Sequence, residues 1–214
     1  MEQLYVVRHG QTRWNAEQRL QGRLDSPLTP TGQQQAVDNG LLLADCGVRT
    51  LFVSPLGRTT ETAYLMNSAV QARLEFRDAL MECDCGEWGG RLISDLAREE
   101  PAAWQARSKD LWGYRPPGGE SVADILARVA PLLDEIRALP ETAVGVVSHG
   151  MVAKAILAHY LGLAGDAAVE VTQPNDVVFR LSFSGADATV EHFRGGAGPL
   201  PGLTWHKRDT GTGD

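Results

Sequence analysis

Two histidines, each set between a short apolar run and a glycine, carry most of the chemical content of this sequence. Arg8-His9-Gly10 follows Leu4-Tyr-Val-Val7, and Ser148-His149-Gly150 follows Val144-Gly-Val-Val147. A β-branched and aromatic run of this length predicts a buried strand, and the glycine then releases the chain into a turn. Open α/β sheets place their ligand sites at the carboxyl ends of strands. Both imidazoles are therefore expected on one rim, although they lie 140 residues apart. Arg58 follows a third apolar run, Leu51-Phe-Val53, and then Ser54-Pro55, which reads as a helix N-cap followed by a first-turn proline. That places Arg58 where helical amides are unpaired and the dipole favours an anion. Taken singly, a strand-end histidine is more often packed or solvated than catalytic. Arg8, Arg58, His9 and His149 together would form a pocket for a tetrahedral anion, because guanidinium forks pair with phosphoryl oxygens two at a time.

The elements that must position these groups alternate between strand and helix, as in a layered α/β architecture. Residues 10–28 read as a polar loop. Thr29-Pro30 opens a helix with Ala36, Val37, Leu41 and Ala44 as its apolar face and Gly47 as its stop. Residues 84–118 are irregular and hold Trp88, Trp104 and Trp112, so short helices and loops are expected there, covering the sheet's carboxyl edge. Ser121-Val-Ala-Asp124 resembles a capping box ahead of a helix faced by Ile125, Leu126, Val129, Leu132, Leu133 and Ile136. A strand at 143–147 leads to a helix after Gly150 carrying Val152, Ala155, Ile156 and Tyr160. A hairpin is expected from 177–183 and 189–193 around Ser184-Gly-Ala-Asp187, and glycine and proline make 194–214 a surface tail. His159, His192 and His206 are read as structural.

The chain has 214 residues with a formal net charge of −7, which suits one domain and argues against a nucleic-acid or anionic membrane surface. No apolar run approaches the roughly 20 residues needed to span a bilayer. Of 20 basic residues 17 are arginine, the side chain better suited to bidentate anion binding. Cys46, Cys83 and Cys85 make an odd count, and the first strand at residue 4 leaves no room for a signal peptide, so a cytoplasmic protein is expected. Cys83-x-Cys85 without a second spaced pair is weak evidence for zinc.

Beyond these readings, the sequence resembles the histidine phosphatases, the superfamily that includes the phosphoglycerate mutases. The resemblance rests on Leu4-Tyr-Val-Val-Arg-His-Gly-Gln-Thr-Arg-Trp-Asn15, Gln21-Gly22, Asp25-Ser-Pro-Leu-Thr29, Gly32-Gln-Gln-Gln-Ala36, Ser54-Pro-Leu-Gly-Arg-Thr-Thr-Glu-Thr-Ala63, Pro117-Gly-Gly-Glu-Ser121 and Val146-Val-Ser-His-Gly150. It implies a single domain over 1–214 with a three-layer α/β/α sandwich and a mostly parallel central sheet. It implies His9 as phosphoryl acceptor, Arg8, Arg58 and His149 as oxyanion partners, and Asn15, Gln21, Gly22 and Gly150 as substrate contacts. Glu82, in Glu82-Cys-Asp-Cys-Gly-Glu-Trp-Gly-Gly90, matches the family's proton donor, ahead of Asp84 and Glu87. Gly89 departs from the family's usual glutamate, and Cys83 and Cys85 replace residues that are more commonly apolar. No metal or cofactor is expected, since arginines and imidazoles supply the positive charge.

The expected activity is hydrolysis of a phosphate monoester on a small phosphorylated metabolite, with phosphoglycerate mutation as the alternative. A non-catalytic phospholigand module is the third reading. The short 84–118 segment favours the hydrolase, and Trp104, Arg107, Trp112 and Arg115 are the residues there that could select the substrate. A monomer, or a homodimer through an edge strand, is expected.

Overall fold

The computed structural model describes residues 1–185 and 187–205. Its sheet contains β1 (Gln3–Arg8), β2 (Val48–Val53), β3 (Arg73–Phe76), β4 (Ala143–Ser148), β5 (Val177–Ser184), β6 (Asp187–Arg194) and β7 (Ala197–Pro201), in the order β3-β2-β4-β1-β5-β6-β7. The first four run parallel, and β5, β6 and β7 add antiparallel to one side. The helices are α1 (Arg13–Ala16), α2 (Pro30–Ala44), α3 (Gly57–Val70), α4 (Ile93–Glu99), α5 (Pro101–Lys109), α6 (Val122–Arg137), α7 (Gly150–Leu161) and α8 (Gly165–Glu170).

Alternation along the central strands divides the core between the two faces of the sheet. Leu4 and Val6 of β1 pack with Ile125, Val129, Leu133, Val152 and Ile156 of α6 and α7, whereas Tyr5 and Val7 pack with Ala36, Leu43, Ala63 and Met66 of α2 and α3. Burial on both faces explains why these strands read as continuous apolar runs. β1 and β4 are parallel neighbours with Arg8 opposite Ser148, and the His9 amide donates to the Ser148 carbonyl at 3.0 Å. That register brings the two histidines out of the sheet side by side. No helix among the described residues is long and apolar enough to cross a membrane.

Four expectations need correction. The inward face of α2 is Gly32, Ala36, Asn39, Gly40 and Leu43, while Leu41 is 61% exposed and Ala44 is also exposed. The helices α2 and α3 approach so closely that a Cβ on Gly40 would lie 2.6 Å from the Met66 carbonyl oxygen, so small residues outrank large apolar ones at the contact. The 10–28 loop contains α1, capped reciprocally by Thr12 and Asn15. α3 begins at Gly57 with Leu56 in the cap position, two residues beyond the start that Ser54-Pro55 suggested. Finally, 194–214 is not simply a tail: 197–201 forms β7, whose prolines are tolerated because it pairs on one side only. Trp205 bridges to Val171, and His206 and the residues after it lie outside the described residues.

Candidate active site

His9 sits immediately beyond β1 and is 2% exposed. Its Nδ1 lies 2.8 Å from the Gly10 carbonyl oxygen, which can only accept, so the ring proton is assigned to Nδ1 and the lone pair to Nε2. Burial, reinforced by the Arg58 and Arg8 guanidinium groups, holds the imidazole well below its usual pKa of 6.5 and hence neutral. The chain just after His9 is pinned by the Gly10 amide donating to Thr62 Oγ1 at 3.0 Å and by Asn175 Nδ2 donating to the His9 carbonyl at 2.7 Å.

Three further groups converge here. Arg8 donates through Nη1 to the Gln173 carbonyl at 2.8 Å, while its Nε is buried without a partner. Arg58, 1% exposed, donates to the Leu24 and Gly22 carbonyls, both at 2.8 Å, and to Asp25 Oδ1 at 2.9 Å, and its Nε is likewise unpartnered. Asp25 also accepts from the Gly57 amide at 2.7 Å and the Arg58 amide at 3.3 Å, so this carboxylate, rather than a ligand, occupies the start of α3. His149 is fully buried with its ring centroid 5.2 Å from that of His9, and burial together with the nearby arginines keeps it neutral as well. Its Nε2 lies 2.8 Å from Ser54 Oγ, and its Nδ1 has no partner. His149 does not itself line the cavity that Arg8, His9 and Arg58 share. Buried polar atoms are normally paired. Arg8 Nε and Arg58 Nε therefore stand out as a pair of donors that an oxyanion in the cavity would satisfy, while His149 Nδ1 is unpartnered behind it.

Two carboxylates line this cavity: Glu120, which is paired with Arg23 and Arg128, and Glu82. Glu82 accepts from the Cys83 amide at 3.0 Å and from Met151, in the first turn of α7, at 3.3 Å. A Cβ placed on Gly150 would lie 3.7 Å from the Arg8 guanidinium carbon and 4.0 Å from Glu82 Oε2, so the Glu82 carboxylate and Arg8 meet at Gly150. The rivals do not reach it: Asp84 Oδ1 accepts from the Gly86 amide at 2.9 Å, and neither Asp84 nor Glu87 lines the cavity. Asn15, Gln21, Gly22 and Gly150 all do. Gly22 takes a left-handed φ of +56°, and its carbonyl is one of those that hold Arg58.

The covering segment closes one side of the cavity with the 3₁₀ turn Gly86–Trp88, α4 and α5. Trp88 is buried, donates to Glu100 at 3.0 Å and stacks near Tyr114 and Trp104. Arg107 lines the cavity, whereas Arg115 is paired with Asp124 at 2.6 Å and Trp112 packs on Gly165 away from it. Burial pushes the Cys85 thiol up to about 12 and the Cys83 thiol higher than its ordinary value, so neither offers a ready thiolate. Among the described residues no three of His, Cys, Asp and Glu gather as metal ligands.

Several supporting residues escaped the sequence reading. Arg128 of α6 donates to the Ala79 carbonyl at 2.5 Å, the Met81 carbonyl at 2.6 Å and the Glu82 carbonyl at 3.2 Å, and pairs with Glu120 at 3.1 Å, clamping the segment that carries Glu82. Gln173 holds Arg8 through a backbone oxygen and donates through Nε2 to Val6 at 2.8 Å. Lys154, buried against the Val169 and Val171 carbonyls, fixes the start of that same segment.

Known proteins arrange similar sequences in this fold. The family model for the histidine phosphatase superfamily (branch 1) matches residues 4–194. A probable phosphoglycerate mutase GpmB from Salmonella paratyphi B is 35% identical over 184 residues, covering 86% of each chain. A mycobacterial glucosyl-3-phosphoglycerate phosphatase solved with VO3 is 27% identical with a TM-score of 0.80, covering 91% of this chain and 99% of that one. An alpha-ribazole phosphatase from Shigella flexneri is 25% identical with a TM-score of 0.81, covering 94% and 98%. The chain belongs to the histidine phosphatase superfamily, branch 1, a superfamily of enzymes.

Proposed function

We propose that the protein hydrolyses a phosphate monoester through a phosphohistidine on His9. The observation that carries this reading is a neutral, tautomer-locked His9 beside two arginines with unpartnered Nε donors, with Glu82 meeting Arg8 at Gly150. Nε2 of His9 attacks phosphorus as the ester P–O bond breaks, and the Glu82 carboxyl gives its proton to the departing alkoxide. Arg8 and Arg58 neutralise the phosphoryl oxygens as charge builds in the transition state, and His149 packs behind His9 with its ring centroid 5.2 Å away. In the second half, Glu82 as carboxylate takes a proton from water, the hydroxide forms a new P–O bond, and the P–N bond breaks to release inorganic phosphate and His9.

Two structural neighbours are phosphatases, one of them solved with VO3, which supports hydrolysis. The curated relative named as a probable phosphoglycerate mutase favours the second reading, in which the alcohol rather than water recaptures the phosphoryl group. The two separate in one assay in EDTA, across a panel of phosphate monoesters, following both inorganic phosphate and 2-phosphoglycerate formed from 3-phosphoglycerate, with and without 2,3-bisphosphoglycerate. Phosphate release is expected to dominate. Isomerisation outrunning release would make the protein a mutase. A cytoplasmic setting, where Cys46, Cys83 and Cys85 stay as the free thiols seen here, fits a small phosphorylated metabolite as substrate.

A further inference from the structure

The cavity holds about 420 Å3, the range in which pockets enclose whole organic ligands rather than a phosphate ion alone. Much of its wall is apolar: Ile93, Leu111 and Tyr114 from the covering segment, Val122 from α6 and Met151 from α7. Beyond the reacting groups, Arg19, Arg107, Glu120 and Lys154 bring charge to that wall, Glu120 pairing with Arg128 and Lys154 donating to the Val169 and Val171 carbonyls. Four arginines line the cavity, and three have acceptors: Arg8 on Gln173, Arg19 on Glu17 and Gly90, and Arg58 on Asp25, Leu24 and Gly22. Arg107, half-buried on α5, has no hydrogen-bond acceptor or carboxylate partner among the described residues, and rests its guanidinium 5.0 Å from the Trp104 ring centroid.

A guanidinium withdrawn from water without a counter-ion is costly, and burial lowers its proton affinity accordingly. An anion arriving from the ligand would offset that cost, while an apolar ligand body would cover the surrounding side chains. A three-carbon acid or a bare sugar offers no such body. Resting on the hydrolase reading above, we infer that the alcohol released by this enzyme carries a ring-sized apolar body, held against Ile93, Leu111, Tyr114, Val122 and Met151, and an anionic group that pairs with Arg107. The phosphoryl pocket sets the reaction, and this wall selects the alcohol.

The test compares kcat/KM for four esters: p-nitrophenyl phosphate as reference, 3-phosphoglycerate, 2-phenylethyl phosphate, and the same phenylethyl ester bearing a para-carboxylate. The wild type is expected to prefer 2-phenylethyl phosphate over 3-phosphoglycerate by about tenfold or more, and the carboxylated ester by about tenfold again. In Arg107→Met the ratio of carboxylated to plain phenylethyl ester should fall toward one, and Arg107→Lys should keep part of it. Equal or better hydrolysis of 3-phosphoglycerate overturns the apolar body, and an unchanged ratio in Arg107→Met overturns the anion contact. The wild-type ratios stand even if a variant misfolds. Turnover of p-nitrophenyl phosphate without either preference refutes this inference alone, whereas inertness toward all four esters removes the hydrolase reading and this inference with it.

Discussion

Removing the Asp25 carboxylate tests how the site is held together. Its two oxygens accept from the Gly57 amide at 2.7 Å, the Arg58 amide at 3.3 Å and Arg58 Nη1 at 2.9 Å. The amides make it a helix cap supplied from another loop, an interaction whose loss costs about 1 kcal/mol. The guanidinium contact adds a charge-assisted bond, about 1.5–3 kcal/mol where one partner is buried. The Arg58 side chain is fully buried and that of Asp25 is 41% exposed, so solvent screens the pair and the lower end applies. Asp25→Ala should therefore lose about 2–3 kcal/mol in urea unfolding, with an unchanged m-value. Asp25→Asn, which keeps an acceptor and caps well, should lose about half of that. Arg58 keeps its Leu24 and Gly22 carbonyls in both variants, so kcat/KM should fall by about tenfold rather than vanish. A stability loss under about 0.5 kcal/mol with full kcat/KM would refute the claim that this carboxylate holds Arg58.

Three other outcomes follow from the same geometry. Arg128→Met should lower kcat on alkyl phosphates by about tenfold while sparing p-nitrophenyl phosphate, because it loosens the Glu82 segment and aryl leaving groups need little acid. Equal losses on both substrates would reduce Arg128 to a general structural role. Gly32→Ala would place a Cβ 2.0 Å from the Gln11 carbonyl oxygen beneath the His9 turn, so about 1–3 kcal/mol of stability should be lost. Wild-type stability in that variant would contradict the packing. Burial holds His9 and His149 well below 6.5, so in acid the unfolded chain takes up protons that the folded chain refuses. Stability should drop as pH falls below 6.5, by up to about 1.4 kcal/mol per unit for each histidine, and the slope should lessen in His149→Asn. A flat profile from pH 7 to 5 would mean that these imidazoles are not buried neutral.

What the sequence made legible was local. The runs before His9 and His149 become adjacent parallel strands, and the helix expected after the second histidine begins at Gly150. Ser121 and Thr29 cap the helices their spacing announced. Contacts made by backbone atoms or across long sequence distances left no local pattern. The oxygen that Gln173 offers Arg8 belongs to its backbone, and the pairing spans 165 residues. Asp25 lies in Asp25-Ser-Pro-Leu-Thr29, but its capping of α3 exists only once the 10–28 loop folds onto that helix. Ser54 looked like the cap because its type fits, and its hydroxyl instead faces His149. On α2, periodicity chose the large apolar residues, while the close approach to α3 selected glycine and alanine.

The proposed covalent step is tested most directly by rapid acid-free quenching of the enzyme with a 32P-labelled monoester, followed by peptide mapping. The account predicts an acid-labile, base-stable label on the peptide that holds His9, formed no more slowly than turnover, and no label in His9→Asn. Turnover without label, or undiminished hydrolysis by His9→Asn, would contradict it.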